Sequence, residues 1–577
     1  MSIQMLATWG GYEQWGKYTL APAEEARLIA AGLARSATAD SPSPVMARLD
    51  PVSGAVVGAS QDLHFAAESY GQPAKAASFA ALTSSQTSLR LFTAAQAMPF
   101  LQAQFDSLGV AQTYVAYLEY PLGATPLQLT VAGQAEFTVQ VNAGAVLTDP
   151  VPTSIQAGET FGIRTYGKVV NLNVDTLRGL DTMLLAGEST SALGTGAGYG
   201  PNAAAAAGAI AGGATGPSSV RCVGPSAIIS SRGEQRAVLG IHDSIGAGVG
   251  IPDDIPTPSI TLRMNNWFTG GLRDAGHKAF AQHSIGGEQL STLFDAGAAL
   301  PQWRSRLTKL RFSDDVFCNL AYNDFPTKTW QEIALYMIKM AKLAAAAGAR
   351  FHAVTSIPSV QVVGNIWRAS TQVPTWVEKR TAWNTWLRNG CQLDSSGVPV
   401  LSGGTPSPYV FGVFDLAAEL EVDENNVLTR NGGRFICNPT PRYGGLVITA
   451  VSGAVNTVPV LTIGAGGLPA YTGGAFGLHP LVGVIRTGVA AGQSAICTTA
   501  NTATTVRLYG HNTGSPTGVL TPGLSTMPEV GDIVDIYESA SNDGIHLTPW
   551  GNNMARPGFM RYLLRNQLGD WQRLYVA

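Results

Sequence analysis

Residues with the makings of an acyl-transfer site occur in separate blocks of the chain. Ser244 stands in Leu239-Gly-Ile-His-Asp-Ser-Ile-Gly-Ala-Gly248, where the apolar run 237–241 stops at Asp243-Ser244 and glycines follow. A buried strand that breaks into a turn in this way presents a hydroxyl at the carboxyl edge of a sheet. Because a serine hydroxyl is a weak nucleophile, it needs a base, and the base needs an orienting group. Ser541-Asn-Asp-Gly-Ile-His-Leu-Thr-Pro-Trp-Gly551 holds both: Asp543 precedes His546 by three residues, so one tight turn can set the carboxylate against one ring nitrogen while the other faces a serine. A developing oxyanion needs donors. Ser284-Ile-Gly-Gly-Glu288 and Leu320-Ala-Tyr-Asn-Asp324 each follow an apolar run; Gly287 offers a backbone N–H and Asn323 a side-chain amide, with Gly286 a rival for the glycine role.

The elements that must position these residues alternate. Runs at 278–282, 316–320, 351–357 and 410–416 read as buried strands, and 329–347 and 375–389 as helices between them. Such alternation builds a parallel sheet whose ligands bind beyond the carboxyl ends of its strands, where Ser244, Gly287 and Asn323 would all stand. Trp376, Trp383 and Trp386 fall at helical spacing and read as helix packing, with sugar stacking the alternative.

In this order the four blocks resemble the SGNH (GDSL-type) hydrolases, over 220–425 plus 538–577. The resemblance implies an α/β, flavodoxin-like three-layer hydrolase domain with Ser244 as nucleophile, its N–H together with Gly287 and Asn323 in the oxyanion hole, and Asp543 and His546 completing the triad. It also implies carboxylic ester hydrolysis, commonly of O-acetyl groups on carbohydrate. Two positions depart from the pattern: His242 replaces the glycine before Asp-Ser, and Ala321 replaces the glycine two residues before Asn323. Both are expected to crowd a tight turn.

The 577 residues are too many for one core. Residues 1–50 read as a docking segment with a short helix at 21–32; 60–185 as an antiparallel β-sandwich with Tyr114, Tyr117 and Tyr120 in one strand; 191–216 as a Gly/Ala-rich linker; and 425–538 as a β-rich domain inserted before the His546 turn. Charged residues make up 13% and the net charge is -3, which gives no reason to expect nucleic acid as a partner. Five scattered cysteines and eight histidines show no ligand spacing, so neither metal nor cofactor is expected. Gly246, Gly248 and Gly250 lack the full dinucleotide-binding pattern, and Pro252, Pro256 and Pro258 obstruct the helix it requires.

The N-terminus lacks the features of a signal peptide, and no run is long enough for a membrane span. The N-terminal helix is similar to the starts of some tailed-phage structural proteins. Together these features lead to the expectation of a homo-oligomeric virion spike or fibre, docked to virion structural proteins through its N-terminal segment and deacetylating a host surface polysaccharide. A binding-only attachment protein on the same fold and a non-viral bacterial carbohydrate esterase are the alternatives.

Overall fold

The computed structural model describes residues 63–69, 85–106, 111–140, 144–168, 187–190, 204–210, 222–248, 266–295, 301–361, 368–454, 459–464, 481–497, 504–509, 524–541, 544–566 and 568, and in addition the backbone of short strands at 2–5, 17–18, 34–37, 48–49, 56–57 and 214–215. The helix expected at 21–32, most of the linker, and Asp543 lie outside the described residues.

The blocks that hold the candidate site residues hang on one parallel sheet. Its elements in chain order are β1 Glu68–Ser69, β2 Val238–His242, α1 Trp267–Asp274, β3 Phe280–Ser284, α2 Leu290–Asp295, α3 Pro301–Leu310, β4 Asp315–Cys318, α4 Trp330–Ala346, β5 Arg350–Val354, α5 Val377–Arg388, β6 Gly412–Phe414 and α6 Pro549–Arg565. The strand order is β6-β5-β4-β2-β3-β1, with every pair parallel. Counted from β2, its five main strands run 2-1-3-4-5, the flavodoxin-like order, and the direction of winding reverses at β2. The chain therefore leaves β2 at the switch point, where a crevice opens between diverging connections. Ser244 is two residues past that end.

Both faces of the sheet are covered, which is why its strands are buried along their length. Leu239, Ile241, Val316 and Cys318 share a core with Leu307 and Leu310 of α3, Ile333 and Met337 of α4, and Trp383 and Trp386 of α5. The alternate positions Val238, Phe280 and Phe317 pack against Trp267 and Phe268 of α1 and Phe559 and Leu563 of α6. A period of two along each strand divides the two cores. Local signals set the helix starts. Thr329 and Glu332 form a reciprocal capping box for α4, while Thr548 caps α6 with Pro549 in its first turn.

Ahead of this unit lies a β-sandwich. One sheet contains strands Gln86–Thr93, Gln112–Glu119 and Thr160–Lys168; the other contains Leu63–Phe65, Met98–Asp106 and Ala227–Ser231. Tyr114 is in the sandwich core against Phe105 and Phe137, so it offers no binding face. The two units exchange strands, because 227–231 belongs to the sandwich and β1 to the parallel sheet, and the boundaries at 185 and 220 are crossed in both directions. Buried charge joins them as well. The Lys309 ammonium of α3 pairs with Asp106 of the sandwich and lies 3.1 Å from His283 Nδ1.

Between β6 and α6 the chain forms a closed six-stranded barrel from Tyr443–Ser452, Val460–Ile463, Thr505–Tyr509, Ser494–Cys497, Val482–Ile485 and Ile533–Tyr537, in that order around the barrel. None of the five cysteines forms a disulfide. Among the described residues no helix is long and apolar enough to cross a membrane, and no group of three or more His, Cys, Asp or Glu is placed to hold a metal ion.

Candidate active site

The turn after β2 is built around Asp243. Its Oδ1 accepts the Ile245 N–H at 2.9 Å and the Asn319 amide at 3.0 Å, while its own N–H donates to Asn319 Oδ1 at 3.1 Å. The β2–β4 register explains the pairing. Ile241 lies opposite Cys318, so Asp243 and Asn319 both stand just past the ends of neighbouring strands. Burial pushes the Asp243 carboxyl up to about 6, against the opposing pull of these hydrogen bonds and of His546. Ser244 is half-buried in a turn whose other residues are buried, so the hydroxyl is the group the turn presents.

The crowding expected at His242 is relieved by two glycines. Its ring lies edge-on to Phe268, with centroids 4.5 Å apart, and 5.3 Å from Trp267. A Cβ at Gly246 would come within 2.2 Å of His242 Cβ, and one at Gly240 within 2.6 Å of its Cε1. Burial, reinforced by Arg306, holds this imidazole down at about 3, so it is neutral and acts as packing. Ala321 takes φ 178, an extended conformation open to any residue, and the crowding expected there does not arise.

His546 reaches the serine from a loop fastened at its base. Ser541 bridges Leu547, Thr548 N–H donates to Ala540 O at 2.9 Å, and Thr548 Oγ1 donates to Ser539 O at 2.6 Å. Gly544 has φ 80 and accepts the Val360 N–H at 3.0 Å, and a Cβ there would meet Val360 O at 2.4 Å, so a close approach of two backbones sets the loop. The result is a separation of 2.9 Å between His546 Nε2 and Ser244 Oγ. That is hydrogen-bond distance.

The oxyanion candidates are held beside this pair. A Cβ at Gly286 would lie 3.9 Å from Ser244 Cβ, so the 286–288 turn passes directly alongside Ser244. Gly287 has φ 70, the left-handed conformation that favours glycine. Asn323 is half-buried in a 3-10 turn, and its amide donates to Glu288 O at 3.0 Å; a primary amide has a second N–H, which leaves one for an incoming oxygen. Asp324 receives the N–H groups of Leu290 and Ser291 at 2.8 and 3.0 Å and fixes the start of α2. Ser244, His546, Gly286, Gly287 and Asn323 are therefore brought to one sheet edge.

Two residues were missed in the sequence. Asn319 has a readable signal, a polar residue directly after a buried strand adjacent to β2. Arg306 has none. It is fully buried in α3, its Nη2 donates to His242 O at 3.4 Å, and its Nη1 lies 3.4 Å from Glu288 Oε2, so it bridges β2 and the 286–288 turn. His242 O also accepts the Ile285 N–H at 3.0 Å, a second tie between the same two segments.

No protein-family model matches the chain, and no curated protein matches it. Among solved structures, similarity is found to a family two carbohydrate esterase from Clostridium thermocellum (12% identity, 51% of this chain and 77% of that one, TM-score 0.20). A family two carbohydrate esterase from Cellvibrio japonicus is 10% identical over 52% of this chain and 77% of that one, with a TM-score of 0.19. A carbohydrate acetylesterase from Xanthomonas citri is 11% identical over 79% and 95%, with a TM-score of 0.20. Likeness at this level leaves the functional reading to the geometry of the site.

Proposed function

We propose that the chain is a serine esterase of the SGNH type that removes acyl groups, O-acetyl above all, from a carbohydrate. The observation that carries this reading is the 2.9 Å contact between Ser244 Oγ and His546 Nε2 at the switch point of a 2-1-3-4-5 parallel sheet. In this mechanism His546 Nε2 takes the hydroxyl proton as Ser244 Oγ bonds to the ester carbonyl carbon. The carbonyl oxygen becomes an oxyanion, met by the Ser244 N–H, by the N–H of Gly287 or its neighbour Gly286, and by the free N–H of the Asn323 amide. The imidazolium returns the proton to the departing sugar oxygen, leaving an acyl-serine. Water, deprotonated by His546, then releases the acid and regenerates the serine. Asp543 is assigned the carboxylate that orients His546, on the strength of its position three residues before it in the sequence.

The substrate assignment draws on the resemblance of the sequence blocks and on the surroundings of the site. The barrel is read as a domain inserted into a three-layer hydrolase, where it walls the substrate cleft. Where it meets the α/β unit, a cavity of about 470 Å³ opens between Arg368, Asn425 and Asn438 on one side and Arg486 and Tyr537 on the other, polar groups suited to sugar hydroxyls. The setting proposed is a virion attachment protein, homo-oligomeric and acting on host surface polysaccharide. Its support is the low charge, the β-rich modules and the N-terminal sequence. Acetate release from an O-acetylated bacterial polysaccharide by the wild type, abolished in Ser244→Ala, tests the activity; co-sedimentation of the chain with purified particles tests the setting. Binding of the polysaccharide with no acetate release would make it a recognition protein instead.

A further inference from the structure

We infer that Trp376 is a stacking platform for a sugar ring of the substrate, a role that rests on the carbohydrate-esterase reading above. The three tryptophans that share helical spacing separate in the structure. Trp383 and Trp386 are fully buried, with ring centroids 5.4 Å apart in the core beneath the sheet, whereas Trp376 is 40% exposed. Trp376 stands at the N-cap of α5 with φ 52 and ψ 28, and its side chain caps nothing. A helix start favours Ser, Thr, Asp or Asn, and a left-handed backbone favours glycine or asparagine. Trp376 violates both preferences, and its ring is not recovered as core. Strain retained at an exposed residue is the pattern of a position kept for binding.

Its neighbours tie it to the catalytic loops. Thr375 N–H donates to Ser359 O at 2.7 Å, and the Thr375 hydroxyl bonds to that of Ser359, which meets Tyr322 OH at 2.8 Å; Tyr322 adjoins Asn323. Val360, the next residue after Ser359, donates to Gly544 O in the turn that carries His546. Lys379, one turn along α5, has its Nζ 5.9 Å from the centroid of the Trp376 ring and donates to Phe325 O at 2.8 Å, at the end of the 3-10 turn that bears Asn323. The indole is thus steadied by a cation and joined by two routes to the oxyanion side of the site and by one to the base. Val373 and Val377, both about as exposed as the indole, extend the apolar surface.

A pyranose ring suits this surface. Its axial C–H groups form an apolar face that can lie on an indole, while its hydroxyls project from the rim toward water and the Lys379 ammonium. A rigid aromatic already fixed in place costs little entropy to use. The platform would hold the sugar that carries the ester, or its neighbour in the polymer, while the acyl group enters between Ser244 and Asn323.

The test compares full-length wild type, Trp376→Gly and Trp376→Phe on acetylated xylan and on 4-nitrophenyl acetate, which has no sugar ring. Glycine suits φ 52, so Trp376→Gly should melt no lower than the wild type. Its KM for acetylated xylan should rise about tenfold with little change in kcat, so that selectivity for xylan over the aryl ester falls about tenfold, and Trp376→Phe should recover most of it. Unchanged selectivity in Trp376→Gly, or a wild type that cleaves the aryl ester and ignores acetylated xylan, would overturn the platform and leave the esterase standing. A wild type that cleaves neither would overturn the esterase reading and the platform with it.

Discussion

His546 Nε2 lies 2.9 Å from Ser244 Oγ although 302 residues separate them in the chain. The parallel sheet holds the turn of Ser244, the barrel lies between the two in the chain, and the turn pinned at Gly544 holds His546. His546→Ala removes the proposed base without disturbing a packed core, since His546 is half-buried. Its kcat/KM on 4-nitrophenyl acetate should fall about a thousandfold or more, with the melting temperature within a few degrees of the wild type. Steady-state kinetics and a thermal melt measure both.

Gly246→Ala should be far more harmful than a methyl group at a turn suggests. The added carbon would lie 2.2 Å from His242 Cβ, and the Gly246 carbonyl is anchored by Asn266 at 2.8 Å, so the nucleophile turn has to move. A stability loss of roughly 1–3 kcal/mol is expected, together with a fall in kcat of about a hundredfold. His242→Gly in the same chain removes the obstructing Cβ as well as the ring and should restore much of both. A double-mutant cycle on urea unfolding shows whether the two positions couple.

Arg306 links His242 O and Glu288, and its effect should fall on rate more than on affinity. Replacing Arg306 alone takes from the half-buried Glu288 carboxylate its Arg306 partner, a loss of roughly 1–3 kcal/mol. Arg306→Met with Glu288→Gln avoids that charge and should recover stability. The kcat should remain about tenfold or more below wild type with KM little changed, because β2 and the 286–288 turn are no longer clamped. A double variant with wild-type kcat would reduce Arg306 to a stability role.

Acid should destabilise the fold below neutrality. Burial is the main cause that holds His242, His277, His283 and His352 below the usual imidazole value of 6.5, with Lys309 and Arg306 adding to the effect at His283. As pH falls through 6.5, the unfolded chain takes up protons at these residues that the folded chain does not, so stability is lost progressively toward about pH 3. Asp243 and Asp324, raised by burial, work in the opposite direction, because their folded forms bind protons before the unfolded ones do. Four imidazoles outweigh two carboxyls. A loss of roughly 2–5 kcal/mol between pH 7 and pH 5 is expected from urea titrations at constant m; a midpoint that holds steady or rises would show these histidines protonated in the fold.

The α/β unit was legible because parallel strands buried on both faces read as short apolar runs, and the polar residues that follow them fall at one edge by topology. Strand ends were read a few residues adrift: the run expected at 278–282 is β3 at Phe280–Ser284, since nothing local marks where pairing stops. In the sandwich, Gln86–Thr93 was not recognised as a strand because its buried positions include Arg90, which is satisfied by Glu188 at 2.9 Å across 98 residues of chain. A burial pattern made of paired charges cannot be seen from either partner alone. The exchanged strands Glu68–Ser69 and Ala227–Ser231 are too short to declare which sheet they join. At the site, the Ser244 and His546 blocks were readable from residue type and spacing, but the room for His242 was hidden in Gly240 and Gly246, and Trp376 could not be told from Trp383 and Trp386 until the helix start was placed.

The central claim is that Ser244 is a nucleophile activated by His546, and covalent capture tests it most directly. The full-length protein would be treated with a fluorophosphonate, digested, and the labelled peptide mapped by mass spectrometry. The expected result is a single adduct on Ser244 that forms within minutes in the wild type and is largely lost in His546→Ala. An adduct on another residue, or labelling of Ser244 at an equal rate with and without His546, would contradict the account.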